Sequence, residues 1–396
     1  MSENPWLTIV GLGEDGLDGL SPASFKALED AEVIMGAERH LSLLPDLSAE
    51  LITWPVPFVD GIPLLLEHSG RKTVALASGD PFWHGAGTSL TKHLDRGEWQ
   101  TLPAPSTMSL AAAALGWPLE STTTLGLHAA PFARLRPHLA NGTHAIVTLR
   151  DGEAVLTFAT WLTEIGFGAS TLHVLEALGG PRQRIRQAPA KAFALHDIQH
   201  PVCIAIEATG GPALTSVGGK EDAFFDNDGQ ITKRPVRALT LSALAPLPGE
   251  HLWDIGGGSG SIAIEWLLAH PTTQATSVEI DPARAERIGN NAGNLGADRL
   301  TVVTGAAPDA LEGLPTPDAV FIGGGISQEM LETVWDTLPV GARLVANAVT
   351  LEAEVLLANW QAEKGGDLLR IELAQSKPLG RKRGWKSSFP IVQWSV

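Results

Sequence analysis

The run Asp254-Ile-Gly-Gly-Gly-Ser-Gly260 follows apolar Leu252 and Trp253 and leads into the helical stretch Ser261–Trp266. A strand that ends here must turn sharply into a helix. Glycine tolerates positive φ and has no Cβ, so a ligand can approach the backbone amides closely. The N-terminus of the following helix adds a partial positive charge. A crevice of this kind, at the carboxyl ends of strands, takes nucleotide-like cofactors. The acid Glu279 ends the next strand about 20 residues past the loop, a spacing that places a carboxylate on ribose hydroxyls. Small Ala306 and Ala307 follow the third strand and leave room for a flat ring. Nicotinamide cofactors share the acid spacing, so loop and acid alone leave the nucleotide open.

The first half carries a second constellation. A strand runs into Gly11, Gly13 and Gly16; Gly79-Asp80-Pro81 follows another strand; and Pro105-Ser106-Thr107 leads, through Ser109, into an alanine-rich helix. Backbone amides and a short carboxylate can fix a folded zwitterionic ligand in a cleft. Each piece also has an ordinary reading, since Asp-Pro makes turns and serine or threonine caps helices. The 12 histidines are scattered, with no cluster at metal-ligand spacing, so no metal is expected. No residue is singled out as a catalytic acid or base.

Both halves alternate apolar strands with helical stretches, which predicts α/β folds. In the first half the strands are 6–10, 33–35, 73–77, 144–148, 173–175 and 201–207. Ser21 caps a helix that begins at Pro22. Residues 208–230 are rich in glycine and small polar residues and read as a connection plus a lead-in. The predicted division is 1–210, a linker over 211–225, and 226–396. The second half reads as a helix over 232–245 and strands 251–255, 275–279, 301–304 and 319–322, with helices over 261–269 and 282–295. A last α/β stretch ends in strand 391–394.

The 396 residues carry a net charge of -16, which disfavours nucleic acid or an anionic membrane as partner. Lys377, Arg381, Lys382, Arg383 and Lys386 form the one dense basic patch. No window approaches ~18 uninterrupted apolar residues, and the N-terminus lacks signal-peptide character. Cys203, the single cysteine, lies in an apolar strand and reads as an inert core residue. A cytoplasmic protein is expected.

Around the glycine loop, Asp254, Glu279, the continuation NNAGNLG and VVTGAAPDAL together resemble class I S-adenosylmethionine-dependent methyltransferases. The resemblance implies a Rossmann-like fold in which Gly256, Gly257, Gly258, Ser259 and Gly260 border the cofactor, Glu279 binds its ribose and Ala307 flanks its adenine. From about Phe224 onward, DGQITKRPVRALTLSALAPLPGEHLWDIGGGSGSIAIEW resembles the precorrin-methylating and decarboxylating enzymes of the cobalamin pathway. In that family a threonine corresponding to Thr232 contacts the cofactor. GGGIS (323–327) stands where amine-methylating relatives have an NPPY-type motif, which fits a carbon nucleophile, although simple turn geometry explains the glycines equally well.

In the first half, WLTIVGLGEDGLDGLSPASFKALEDAEVIMG, ALASGDPFWHGAG and APSTMSLAAAALGWP resemble the tetrapyrrole methylase family, a two-lobed fold that also uses S-adenosylmethionine. This implies cofactor contacts from Gly79, Asp80, Ser106 and Thr107. The two resemblances together imply two methyl transfers to meso carbons of a precorrin, loss of CO2 from an acetate side chain, one S-adenosylmethionine per domain and a homo-oligomer. Cations at 233, 234 and 237, or in the 381–386 cluster, are the candidates for meeting substrate carboxylates. A different small substrate, a nicotinamide-dependent oxidoreductase and a cofactor sensor are the alternatives.

Overall fold

A computed structural model describes residues 5–396, which divide into two compact units. Unit 1 comprises 5–130 and 138–212. Unit 2 comprises 131–137 and 213–396.

Unit 1 holds two sheets. In the first, β1 (Leu7–Leu12), β2 (Val33–Gly36), β3 (Glu50–Thr53), β4 (Thr73–Ser78) and β5 (Trp99–Leu102) are all parallel, in the order β3-β2-β4-β1-β5. β1 is buried at every position, as expected of a central parallel strand read as an apolar run. Ser21 caps the first helix by accepting from the Ser24 amide, with Pro22 in the first turn, as expected. The second sheet is β6 (Thr122–Gly126), β7 (His144–Leu149), β8 (Thr171–Glu176), β9 (Arg184–Pro189) and β10 (Val202–Glu207), in the order β6-β7-β10-β8-β9. β10 runs antiparallel between β7 and β8, and β9 antiparallel to β8. Cys203 lies within β10, fully desolvated, and burial pushes its thiol up to about 12.

Unit 2 is built on a seven-stranded sheet. Its strands are β11 (His251–Ile255), β12 (Gln274–Glu279), β13 (Thr301–Thr304), β14 (Ala319–Ile322), β15 (Arg343–Ala348), β16 (Asp367–Ile371) and β19 (Ile391–Ser395), in the order β13-β12-β11-β14-β15-β19-β16. The first five in that order are parallel, and β19 enters antiparallel between β15 and β16. The order reverses at β11, so a crevice opens where the connections from β11 and β14 leave for opposite sides. The buried indoles of Trp253, Trp266 and Trp394 each donate to a backbone carbonyl, which removes the cost of burying their N–H groups.

The segment that reads as a connection is packed against unit 2. Leu214, Lys220 and Phe225 are buried. Glu265, on the helix Ser261–Ala269, accepts from the amides of Gly219 (2.6 Å) and Lys220 (2.9 Å). Irregular chain carries no hydrophobic period, so sequence alone hides such docking. The basic patch forms an exposed hairpin, β17 (Ala374–Leu379) and β18 (Lys382–Ser387), paired only with itself.

Candidate active site

In unit 2 the loop after β11 is held by β12. The amides of Gly256 and Gly257 both donate to the Val278 carbonyl, at 2.9 and 3.2 Å. Gly256 has φ of 74°, and a Cβ there would lie 2.9 Å from the Gly324 nitrogen. A Cβ on Gly257 would meet Ser277 Oγ at 2.1 Å. The two glycines therefore let the loop pass between β12 and the turn after β14. The Gly258 amide donates to Glu279 Oε2 (2.8 Å) and the Asp281 amide to Oε1 (3.0 Å), so the carboxylate is fixed with lone pairs to spare.

The loop opens onto a cavity of about 420 Å3. Gly256, Gly257, Gly258, Glu279, Ala307 and Thr232 all line it, together with Ile280 and Ala306. An acid for ribose hydroxyls, small residues for a flat ring and a Cβ-free backbone edge fit a nucleoside with a polar tail. Ser259 and Gly260 do not line it. Gly260 precedes the helix Ser261–Ala269, and the Ser259 carbonyl accepts from Asn291 Nδ2 behind the loop. Asp254 is also behind the loop. Desolvation pushes it up to about 7, Glu279 adds to the shift, and the Ala263 amide and Ser277 hydroxyl oppose it.

Arg237 is not a substrate cation. It is fully buried, its Nε donates to Glu265 Oε1 at 2.6 Å, and its other nitrogens bond the carbonyls of Thr232 and Lys220, both at 2.5 Å. Every arm of the guanidinium is used inside the protein. Its work is to clasp the strap 229–233, which lines the cavity. The other end of the strap is tied by Asp228, which accepts from Arg284 Nε (2.8 Å), and by reciprocal bonds between Asn291 and Asp226. The Arg284 guanidinium, first of all, holds the Asp228 carboxyl down to about 2. Lys233 does line the cavity, whereas Arg234 and the five hairpin cations do not.

Unit 1 has a larger cavity, about 590 Å3, lined from both sheets, and a neighbouring cleft of about 390 Å3. Gly79 and Thr107 line the first, Asp80 the second, and Ser106 both. Gly79 has φ of 56°, and a Cβ there would sit 2.7 Å from the Pro105 carbonyl oxygen. The turn after β4 and the start of the helix Thr107–Leu115 are thus brought together. Asp80 Oδ1 accepts from the Phe82 amide (2.8 Å) and Ser106 Oγ from the Ser109 amide (3.1 Å), so both side chains also make the ordinary local bonds.

Sequence reasoning missed the polar network in the larger cavity. Glu14 is buried and paired with Arg39 and, at 2.8 Å, with Arg182. Arg39 Nη2 also reaches Ser78 Oγ (2.9 Å) and His40 Nε2 (2.8 Å). Burial, then the Arg39 charge, holds His40 down to about 3. His84, His128, Arg150 and His200 line the same cavity. These residues come from separated elements, and no spacing announces them; Glu14, inside the glycine-rich turn, was the one available signal.

Two family models match the chain. Residues 6–194 match Tetrapyrrole (Corrin/Porphyrin) Methylases and residues 223–396 match Precorrin methyltransferase domain. A Precorrin-6Y C(5,15)-methyltransferase [decarboxylating] from Sinorhizobium sp. is 47% identical over 99% of this chain and 96% of its own length. A Cobalt-precorrin-6B C(15)-methyltransferase (decarboxylating) from Salmonella typhimurium is 30% identical over 178 residues, which are 43% of this chain and 92% of that protein. The crystal structure of the C-terminal domain of precorrin-6Y C5,15-methyltransferase from Rhodobacter capsulatus is 53% identical and covers 46% of this chain and 98% of that one, with a TM-score of 0.45. Methyltransferases of this family use S-adenosyl-L-methionine. With a relative matched end to end at 47% identity and both units accounted for by family models, the chain belongs to the precorrin-6Y C(5,15)-methyltransferase (decarboxylating) family and is a methyltransferase.

Proposed function

We propose that the chain converts precorrin-6Y to precorrin-8X in cobalamin biosynthesis, with one meso carbon methylated in each unit and the acetate decarboxylated in unit 2. The observation that carries the division of labour is the Salmonella typhimurium relative. It matches less than half of this chain yet is named both C(15)-methyltransferase and decarboxylating. Assigning that match to unit 2, whose residues 223–396 match Precorrin methyltransferase domain, gives unit 2 C-15 and the decarboxylation and leaves C-5 to unit 1. The two catalytic domains are 1–210 and 226–396, and the connection 211–225 is docked for most of its length within unit 2.

S-adenosylmethionine, one per unit, supplies a methyl group on a sulfonium. The protein's task is alignment and exclusion of water. In unit 2, Glu279 holds the ribose hydroxyls, the Gly256–Gly258 backbone borders the amino-acid end, Ala306 and Ala307 flank the adenine, and Thr232 closes the strap side. In unit 1, Gly79, Asp80, Ser106 and Thr107 play this part. Ser259 and Gly260 act through the loop's shape and the helix end. Each methyl transfer would form a carbon–carbon bond at the meso carbon as the methyl–sulfur bond breaks, with S-adenosylhomocysteine leaving as a neutral thioether and the charge passed to the macrocycle discharged by loss of a proton. Decarboxylation breaks the bond to the acetate carboxyl, releases CO2 and leaves the electron pair to the conjugated macrocycle, where a proton replaces it. Arg150 in unit 1 and Lys233 in unit 2, which line the cavities, are placed to meet carboxylates. A cytoplasmic, self-associating protein completes the reading.

The test is incubation of the chain with precorrin-6Y and S-adenosylmethionine, followed by mass spectrometry. Two methyl additions with loss of CO2 are expected, and the Gly258→Arg variant should stop at one methyl addition with the acetate retained. An unchanged substrate with the wild-type chain sinks the reading. Light scattering that gives a monomer at micromolar concentration sinks self-association alone.

A further inference from the structure

The cavity of unit 2 has two ends. One is the cofactor end described above. The other lies at the carboxyl ends of β14 and β15, where Gly323–Gly325, Met330, Asn347, Val349 and Ile391 line the wall. Of these, only Asn347 carries a polar side chain.

Asn347 is oriented from behind. Gln393 on β19 is its register partner and is 3% exposed. Gln393 Nε2 donates to Asn347 Oδ1 and to Thr240 Oγ1, both at 3.0 Å, and so uses both of its protons. Asn347 Nδ2 donates to the same Thr240 Oγ1 at 3.0 Å. Thr240 is fully buried on the helix Arg234–Leu244. A carboxamide has two N–H groups, so one on Asn347 is left without a protein partner among the described residues. Apolar side chains would fill the interior positions at 240 and 393 without the desolvation cost of polar ones. The two buried polar groups fix the rotation of a third that faces the cavity.

Resting on the reading above, we propose that Asn347 is a substrate-binding residue of unit 2. Its free Nδ2–H donates to a carboxylate oxygen of the tetrapyrrole on the β14–β15 side of the cavity, across β11 from Glu279, and Thr240 and Gln393 are its positioning residues. A neutral donor suits a carboxylate that must be oriented and then lost as CO2. A cation would stabilise the ground-state charge and raise the barrier to losing it.

The experiment uses the full chain. Formation of decarboxylated product from precorrin-6Y is followed by mass spectrometry, and S-adenosylhomocysteine binding is measured separately by calorimetry. Asn347→Ala should raise KM for the tetrapyrrole about tenfold, the loss of one hydrogen bond to a charged group, with S-adenosylhomocysteine affinity unchanged. Asn347→Asp should be worse than Asn347→Ala, because a second negative charge faces the substrate. Thr240→Val and Gln393→Met should reproduce part of the rise. If Asn347→Ala and Asn347→Asp have equal KM, or if S-adenosylhomocysteine binding weakens as much as substrate binding, the proposal fails and the amide is a structural or cofactor group. A wild-type chain that leaves precorrin-6Y unchanged overturns the functional reading and this inference together. A wild-type chain that turns over, with Asn347→Ala equal to it, overturns this inference alone.

Discussion

The two cavities are built on different plans. In unit 2 one short loop between β11 and the helix Ser261–Ala269 supplies Gly256, Gly257 and Gly258, and the end of the adjacent strand supplies Glu279. The loop has little room to move, because a Cβ at either of the first two positions would collide with a neighbour. In unit 1 the wall is collected from the ends of β1, β4, β7 and β10 and from the helix Thr107–Leu115, and includes the buried Glu14 with its partner Arg39. A local cradle concentrates binding in a few backbone atoms. A distributed cavity spreads it over many side chains and depends on the packing of two sheets.

That contrast is broken or sharpened most strongly at the proposed cofactor sites. Calorimetric titration of the wild-type chain with S-adenosylhomocysteine should find two sites. Gly258→Arg should delete one outright, since the long side chain fills the cavity and φ of 60° strains any non-glycine residue. Asp80→Ala should weaken the other without deleting it, because Gly79, Ser106 and Thr107 remain. Complete loss of the second site on Asp80→Ala would mean that unit 1 also concentrates its binding in one residue.

The buried charge of the clasp in unit 2 gives the next largest effect. Arg237→Met leaves Glu265, whose side chain is fully buried, without its close cation; Lys220 Nζ stays at 3.8 Å. Removing one partner of a buried pair costs about 3–5 kcal/mol. Denaturant unfolding, with hydrogen exchange to localise the change to 213–396, should show that loss. The double variant Arg237→Met with Glu265→Gln should recover much of it. No recovery would assign the cost to lost packing against Phe225, which the guanidinium overlies at 4.8 Å.

The same contrast explains what the sequence made legible. Strands β1, β4, β11 and β14 were readable because they are buried runs, and the glycine loop with Glu279 because its chemistry is consecutive in the chain. Exposed edge strands were lost, although β13, also at an edge, was read at 301–304. β3, with three exposed positions of four, and β16, with four of five, carry no apolar run to find. β15 was absorbed into an unresolved α/β stretch, and with it Asn347, whose partners Thr240 and Gln393 are 107 and 46 residues away. Arg237 was misread because a cation beside Thr232, a cofactor contact only by family resemblance, suggests a ligand, and nothing local shows that Glu265 lies inside to meet it.

Acidity should separate the units by sign. Asp254 is raised to about 7 from 3.8, so between those values the folded state keeps a proton that the unfolded chain releases. Its contribution is fully present below about pH 4 and lost as pH rises to about 7. His40 is lowered to about 3 from 6.5, so its contribution is present above pH 6.5 and lost as pH falls toward 3. Unfolding free energies across pH 4–7.5 should show Asp254→Asn gaining on wild type as pH rises. His40→Gln should gain on wild type as pH falls. Parallel curves for wild type and either variant would show that the buried group keeps its ordinary titration.

The smallest effect tests whether a residue in the distributed cavity has one task or two. Ser106 caps the helix Thr107–Leu115 through the Ser109 amide and also faces both openings of unit 1. Ser106→Ala should cost about 1 kcal/mol of stability, the usual worth of a serine cap. Ser106→Asn keeps a side-chain acceptor at the same place and should restore most of that. If S-adenosylhomocysteine affinity at the unit 1 site returns together with stability, the hydroxyl serves the site only by fixing the helix end. If stability returns and affinity does not, the hydroxyl is itself a contact, and unit 1 relies on side chains where unit 2 relies on backbone.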